Sequence, residues 1–191
     1  MKQKAVLCSL VLVLATSLFL ILAADPATAS GRGAVRATAI IQGCTSDDIS
    51  GFARLRERPS QEGVKLVDVT LVTLGLSDGK HAVHLHQTAA CDPCGAAGGH
   101  FDPGPASNTS PDGNHPFHSG DLINIDVRGG FGVLHTKTSR VTLSPGPLSL
   151  FDEDGSAFII HVNEDTYCPE GEEAGCAGGG RAACGIITLD D

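Results

Sequence analysis

Aromatic residues are scarce in this sequence: tryptophan is absent, and phenylalanine, tryptophan and tyrosine together make up 4% of the 191 residues. Glycine, in contrast, occurs 24 times. Few aromatic side chains and many glycines favour a β-rich fold with many turns over a helical bundle. No convincing amphipathic helix and no internal repeat is present, which argues against helical and repeat architectures.

Basic residues are also few: 13 lysines and arginines stand against 22 acidic residues, giving a net charge of −9. An acidic chain without basic clusters lacks the electrostatic footprint of a nucleic-acid-binding protein. We therefore expect no nucleic-acid partner. The overall charge does not attract an anionic substrate either, so an anion site has to be formed locally.

The N-terminus has the pattern of a secretory signal peptide. Lys2 and Lys4 precede an apolar run from Ala5 to Ala24, and Ala27-Thr28-Ala29 is a small-residue cleavage site. This predicts a signal peptide over residues 1–29 and a mature domain over 30–191. The apolar run is also just long enough to span a bilayer, so an uncleaved membrane anchor remains the alternative. In either case we expect an exported protein, located in the periplasm, in the cell envelope or outside the cell.

Six cysteines remain once Cys8, in the predicted signal peptide, is removed. An even number of cysteines in an exported chain indicates disulfides. Cys168 and Cys176 lie close together in a loop rich in glycine and glutamate, and we predict that they pair. Cys91-Asp92-Pro93-Cys94 also fits a redox motif or half of a zinc ribbon, but no second such motif and no thioredoxin-like pattern accompanies it.

The rest of the chain consists of short alternating or β-branched segments separated by turns. About eight strands and two long loops, 87–120 and 163–180, predict an antiparallel sandwich or barrel. Loops of this length on a rigid scaffold commonly carry function. The strand segments are Ala34–Ile41, Phe52–Glu57, Val64–Leu74, His81–His86, Leu122–Val127, Gly132–Thr138, Val141–Leu143, Ser156–Val162 and Arg181–Leu189.

The segment H-A-V-H-L-H at residues 81–86 points to a metal site. On a strand, His84 and His86 project from one face and Val83 and Leu85 from the other. Two imidazoles on one rigid face form half of a transition-metal site. An isolated pair is more typical of polar surface on a half-buried strand, but more candidate ligands follow it: His100, His115, His118, Asp121 and His161.

Five motifs, in order, resemble the copper/zinc superoxide dismutase family of the exported bacterial type. They are G-K-H-A-V-H-L-H, A-A-G-G-H-F-D-P, H-S-G-D-L, I-I-H-V-N-E-D-T-Y and G-G-G-R-A-A-C-G-I-I. The resemblance implies an all-β fold, an eight-stranded antiparallel Greek-key β-barrel with two long functional loops. It also implies an oxidoreductase that uses copper and zinc to convert superoxide, a small anion, to dioxygen and hydrogen peroxide. Whether the protein forms a homodimer stays open.

The resemblance assigns copper to four histidines: His84, His86, His100 and His161. Four imidazoles suit Cu(II). His100 resembles the family's bridging histidine, which binds both metals and carries a proton during the reaction, since imidazole has two usable nitrogens. Arg181 matches an arginine beside copper that attracts the anion. Asp165 matches an aspartate that accepts hydrogen bonds from one copper-binding and one zinc-binding histidine.

The zinc ligands depart most from the family pattern. His118 and Asp121 match the last histidine and the aspartate, but the turn that normally carries the middle histidine, here 106–113, contains none. We therefore predict that His115 takes this place and that zinc is bound by His100, His115, His118 and Asp121. The alternative is a site without a middle ligand and with weak or no zinc binding. His81 matches a structural histidine, and His135 is expected at the surface.

The family pattern also suggests how the remaining cysteines pair. Cys94 lies six residues before His100, like the family's paired cysteine, which implies a bond to Cys184. Cys44 and Cys91 are then left to pair, and an exchange of Cys91 for Cys94 is the alternative. Two other functions are considered: a non-enzymatic copper or zinc carrier on the same scaffold, and a structural or adhesion sandwich.

Overall fold

The computed structural model of the chain describes residues 34–104, 113, 115–171 and 173–191. The predicted signal peptide, residues 1–29, lies outside the described residues, as does most of the turn that lacks the family's middle histidine. Within the described ranges, no helix has both the length and the apolar character needed to cross a membrane.

The described chain is built almost entirely from antiparallel strands. One short 3-10 turn, Cys94–Ala97, interrupts the first long loop. The ten strands are β1 (Arg36–Gly43), β2 (Ser50–Pro59), β3 (Lys65–Leu74), β4 (Gly79–His81), β5 (Val83–His86), β6 (Ile125–Arg128), β7 (Phe131–Thr138), β8 (Ala157–His161), β9 (Arg181–Ile186) and β10 (Thr188–Leu189).

These strands close into a ring, in the order β4-β6-β7-β3-β2-β1-β9-β8-β5. Only Ala82 separates β4 from β5, and these two pair with β6 and β8 at opposite ends of the order. They act as one interrupted strand, as do β9 and β10, which both pair with β1. Counted in this way, eight strands form the barrel, and the predicted eight-stranded Greek-key fold is confirmed.

The burial pattern of the strands explains where the site lies. Strands β2 and β3 alternate between buried and outward-facing residues, as expected for strands with one face in a core. Strand β5 does not alternate: all four of its residues are buried. Val83 and Leu85 belong to the barrel core, whereas His84 and His86 project from the other face and are equally inaccessible. The histidine face is therefore covered by the long loops.

The predicted strand Val141–Leu143 is wrong: the segment forms only an isolated bridge between Thr142 and Ser149. The Glu57 side chain takes the place of a neighbouring strand as hydrogen-bond acceptor for this segment. Its buried carboxylate accepts from the backbone N–H groups of Leu143 (2.6 Å) and Ser144 (2.9 Å). Burial alone would raise the pKa of Glu57, but these bonds and one from the Ser144 hydroxyl hold it below its usual value.

The disulfide pairs also differ from the prediction. Cys168 pairs with Cys176 as predicted, but Cys94 bonds to Cys44 and Cys91 bonds to Cys184. The predicted pairs Cys94–Cys184 and Cys44–Cys91 are wrong, and the alternative with Cys91 and Cys94 exchanged is the one that forms. The 3-10 turn places Cys94 beside the end of β1 and leaves Cys91 facing β9. The Cα atoms are 5.7 Å apart in both bonds. The loop that leads to His100 is thus fixed to two strands.

Candidate metal centre

Four buried histidines converge outside the barrel wall. His84 and His86 come from β5, His161 ends the neighbouring strand β8, and His100 forms an isolated bridge with His86 from the first long loop. None of the four is more than 2% exposed. One ring nitrogen from each lies within 4.8 Å of those of the other three, a spacing that suits a single metal ion.

The ring orientations are set by hydrogen bonds to the protein. His86 donates from Nδ1 to the carbonyl of Gly98 (3.0 Å), and His161 donates from Nδ1 to the carbonyl of Gly179 (2.9 Å). His84 donates from Nε2 to Asp165 (3.0 Å), so that its Nδ1 lies 3.2 Å from Nε2 of His161. Each ring therefore uses one nitrogen for support and directs the other towards the shared centre.

Unsatisfied nitrogens show that the centre fits a metal ion. Nε2 of His86 and Nε2 of His100 are buried and have no hydrogen-bond partner among the described residues. A buried polar atom without a partner is costly, and a bound cation would satisfy both lone pairs. Four imidazole nitrogens are a donor set that suits copper.

A second cluster lies on the other side of the His100 ring. Nδ1 of His100 is 2.7 Å from Oδ1 of Asp121, and Nδ1 of His118 is 3.1 Å from Oδ2 of the same carboxylate. Nδ1 of His115 is 3.2 Å from that oxygen. Three imidazoles and one carboxylate make up the N3O donor set of a zinc site. His100 belongs to both clusters, since its two nitrogens face in different directions.

The structure places His115 close to His100, His118 and Asp121, although its neighbours 105–112 and 114 lie outside the described residues. Its ring lies beside those of His100 and His118, with centroids 5.6 and 5.9 Å away. Ligand atoms of His84, His100, His115 and Asp121 lie within 4.8 Å of one another. His118 is close to the same atoms, with its Nδ1 3.3 Å from Nδ1 of His100. His84 nevertheless belongs to the first cluster, because its Nδ1 lies beside His161 and its Nε2 is held by Asp165.

Asp165 connects the two clusters. One of its oxygens accepts from Nε2 of His84 (3.0 Å) and from Nε2 of His115 (2.8 Å). Asn124, which the sequence analysis did not identify, holds this aspartate through two main-chain bonds: its amide donates to the Asp165 carbonyl (2.9 Å) and accepts from the Asp165 N–H (2.7 Å). Asn124 takes part in no motif, so no sequence pattern pointed to it.

Burial and charge divide the histidines into two groups. Burial lowers the pKa of His84 to about 3 and that of His161 to about 4, and it lowers the pKa of His86 well below its usual value. Burial alone would also lower the pKa of His115, but Asp121 and Asp165 raise it to about 9. The first cluster thus offers neutral imidazoles with free lone pairs, and the second is organised around anionic carboxylates.

Arg181 lies beside the first cluster. It begins β9 opposite His161, and its guanidinium donates to the carbonyls of Cys94 (2.5 Å) and Gly98. The Gly98 carbonyl also accepts from His86, so one peptide group orients both side chains. The half-buried guanidinium is a fixed positive charge beside the histidines.

Two further residues support the site from outside. His81 donates from Nδ1 to the carbonyl of His161 (2.8 Å) and is buried, in agreement with a structural role. Arg140, which the sequence analysis missed, donates to the carbonyls of Pro116 (3.2 Å) and Asp121. It follows β7 without a motif, and only the folded chain brings it to this loop. His135 is exposed on β7, as expected.

Comparisons with known proteins agree with this geometry. A family model described as copper/zinc superoxide dismutase (SODC) matches residues 49–187. A relative from Deinococcus radiodurans, named superoxide dismutase [Cu-Zn], is 34% identical over 172 residues, which cover 82% of this chain and 85% of the relative. A protein of the same name from Legionella pneumophila is 40% identical over 114 residues, 59% of this chain and 64% of that protein. The two histidine clusters, the shared ring of His100 and these matches together show that the chain belongs to the copper/zinc superoxide dismutase family.

Proposed function

We propose that this protein dismutates superoxide to dioxygen and hydrogen peroxide at a copper ion that one histidine joins to a zinc ion. The observation that carries the proposal is the position of His100, whose ring lies between two buried clusters and belongs to both. The proposed copper ligands are His84, His86, His100 and His161. The proposed zinc ligands are His100, His115, His118 and Asp121.

The two donor sets suit the two metals. Copper, when bound, supplies the one-electron oxidation and reduction that the reaction needs, whereas zinc has no redox chemistry. Asp165 keeps His84 and His115 in one tautomer by accepting from Nε2 of each, which leaves both Nδ1 atoms available as ligands. The protein thus fixes which nitrogen of each ring faces a metal.

His100 is the proposed proton carrier. Its Nδ1 is engaged beside Asp121, while its Nε2 faces the other cluster and has no partner among the described side chains. Nε2 is therefore the atom that can hold a proton and release it to reduced superoxide.

Arg181 is proposed to attract the substrate. Residues 163–180 contain no lysine or arginine, so the guanidinium of Arg181 supplies the positive charge next to this acidic loop. Its anchoring to two backbone carbonyls keeps that charge in place between turnovers. A metal carrier has no need of such a group, and this favours the enzyme over the alternative of a carrier.

We also infer export. Three disulfides are consistent with an oxidising compartment, since such bonds are rare in the reducing cytosol. The charged start, apolar run and small-residue site at residues 1–29 support a cleaved signal peptide followed by a domain over 30–191. The uncleaved form, held at a membrane, is the alternative, and the mass of the exported protein separates the two.

The function is tested by metal analysis together with a superoxide assay on the wild type and Arg181→Ala. We expect about one copper and one zinc per wild-type chain and rapid loss of superoxide. Arg181 is not a proposed ligand, so Arg181→Ala should keep its copper and lose roughly tenfold in activity, a loss of about 1.4 kcal/mol.

Three results would contradict this proposal. Copper binding without superoxide consumption indicates a carrier, and a chain that loads no metal indicates a structural sandwich. Unchanged activity in Arg181→Ala removes the arginine from the reaction. Lys80→Ala, which removes an exposed positive charge on β4, is the matched control and should behave like the wild type.

His115 is tested by His115→Ala, with His135→Ala as the control. Because His115 is a proposed zinc ligand and His135 is exposed on β7, only the first change should weaken zinc binding, by more than about 100-fold, while copper is retained. Competition with a chelator measures the affinity. Full zinc affinity in His115→Ala would show that zinc needs no third histidine.

Arg140 is tested by Arg140→Met. The guanidinium holds the carbonyls of Pro116 and Asp121 on both sides of His118, so its loss should loosen the zinc loop and lower zinc affinity roughly 10–100-fold, as for other outer partners of a metal site. Arg128→Met is the matched control, since the Arg128 side chain is 87% exposed and is paired only with Asp126 among the described ion pairs. Equal zinc affinity in the two variants would exclude a positioning role for Arg140.

A further inference from the structure

The acidic loop 163–180 is a hairpin that a disulfide closes. One arm continues from the end of β8 and the other leads into β9, and backbone hydrogen bonds join the two arms at the base. Further along, Asp165 and Ala177 form an isolated antiparallel bridge. The Cys168–Cys176 bond links the arms beyond this bridge, and both cysteines are buried. The disulfide is therefore part of the same folded unit as Asp165.

Both arms of this hairpin carry groups that orient proposed metal ligands. On the first arm, the Asp165 carboxylate accepts hydrogen bonds from His84 (3.0 Å) and His115 (2.8 Å), one ring from each cluster. On the second arm, the Gly179 carbonyl accepts from His161 (2.9 Å). A shift of either arm would move an acceptor away from a ring that it holds. The hairpin thus contributes to the geometry of both clusters, although it contains none of the proposed ligands.

A strained turn connects the disulfide to the Asp165 carboxylate. The N–H of Tyr167 donates to Oδ1 of Asp165 (2.7 Å), and Cys168 follows directly in the chain. Tyr167 and Cys168 have φ values of 63° and 46°, in the left-handed region that residues other than glycine rarely adopt. Two such residues in succession persist only where surrounding contacts hold them. The buried bond to Cys176 is such a contact, and it begins one residue after the N–H that orients Asp165.

The second cysteine is held to the same turn. Thr166, the residue before Tyr167, donates from its N–H (2.9 Å) and from its hydroxyl (3.2 Å) to the carbonyl of Cys176. From there the second arm passes close to the first cluster, because a Cβ atom on Gly178 would lie 2.8 Å from Cβ of His161. The two arms are therefore joined at the disulfide by main-chain bonds as well, and a shift of one arm would displace the other.

We propose that the Cys168–Cys176 disulfide is a positioning bond for the metal centre and that it acts through the Asp165 carboxylate. This role depends on the proposed metal ligands, to which it adds a group that is not itself a ligand. Without the bond the strained turn can relax, and the N–H of Tyr167 then no longer fixes the orientation of the carboxylate. His115, whose Nε2 is held by that carboxylate, should lose its alignment towards zinc.

Zinc binding should depend on this bond more than copper binding does. Of the four proposed copper ligands, only His84 donates to the Asp165 carboxylate. His86 and His161 donate to backbone carbonyls instead. We therefore expect that a chain without the disulfide keeps its copper in an altered geometry and holds zinc less tightly.

The short loop that this bond closes indicates a local role. Cys168 and Cys176 are 8 residues apart in sequence, whereas the cysteines of the other two disulfides are 50 and 93 residues apart. In the chain-entropy model a shorter loop gives less stabilisation of the whole fold. Removal of this bond should therefore leave the barrel folded, so that a change in metal binding can be assigned to the site.

Zinc affinity, measured by competition with a chelator, tests the proposal in Cys168→Ser/Cys176→Ser. We expect a loss of about tenfold or more, as for other groups that orient a metal ligand. Copper should be retained, while the electron paramagnetic resonance spectrum of Cu(II) changes shape because His84 is less well held. Amide hydrogen exchange in β2 and β3 as slow as in the wild type verifies that the barrel is folded.

Asp165→Asn separates positioning of the carboxylate from general loosening of the hairpin. If the disulfide acts through the carboxylate, its removal should change zinc affinity by less than about twofold in a chain that already carries Asp165→Asn. Pro169→Ser/Ala174→Ser is the matched control, since it places two serines at exposed positions of the same hairpin and keeps the disulfide. The zinc affinity of this control should equal that of the wild type.

The proposal is wrong if zinc affinity in the cysteine variant stays within about twofold of the wild-type value, or if the control loses as much as the cysteine variant. An equal loss with and without Asp165→Asn, or an unchanged copper spectrum, would show that the bond does not act through the carboxylate. Rapid amide exchange in β2 and β3 would assign the bond to the stability of the barrel instead. A wild-type chain that binds no zinc would overturn the proposed zinc ligands themselves, a failure distinct from all of these.

Discussion

Hydrogen bonds to the protein fix the rings of His84, His86 and His161, the proposed copper ligands other than the shared His100. Each ring can bind the metal through one nitrogen because the other nitrogen already donates to a fixed acceptor. His86 and His161 donate to backbone carbonyls, and His84 donates to Asp165. These bonds leave one nitrogen of each buried ring directed towards the shared centre. The cost of burying so many polar rings is offset only when the inward nitrogens find a cation. The geometry of the metal centre therefore depends on hydrogen bonds from the loops as much as on the strands that carry the ligands.

The loops that provide these bonds are fixed to the barrel by long-range contacts. Two disulfides attach the segment before His100 to β1 and β9, and each closes a long loop, worth on the order of 4 kcal/mol in the chain-entropy model. Arg181 adds hydrogen bonds to the same segment from β9. The Gly98 carbonyl that orients His86 therefore has little freedom to move, and the site keeps its geometry although much of it comes from loops.

The sequence predicted the parts of the site that local pattern determines. Alternation on β5 placed His84 and His86 on one face, and the spacing from His115 to Asp121 brought both side chains to the ring of His100. The sequence narrowed the partners of Cys91 and Cys94 to two arrangements but could not choose between them, because a short turn decides which thiol faces which strand. Arg140, Asn124 and the support of Leu143 by Glu57 depend on contacts between residues far apart in sequence, for which no local pattern exists.

The central claim is that the single ring of His100 links two metal sites. It is tested most directly by electron paramagnetic resonance of protein with Cu(II) in the first site and Co(II) in place of zinc in the second. A shared imidazole couples the two unpaired-electron systems through its two nitrogens. The account predicts that Co(II) strongly broadens or removes the copper signal seen with zinc. A copper signal of full intensity and unchanged shape, with both metals bound, would contradict the claim.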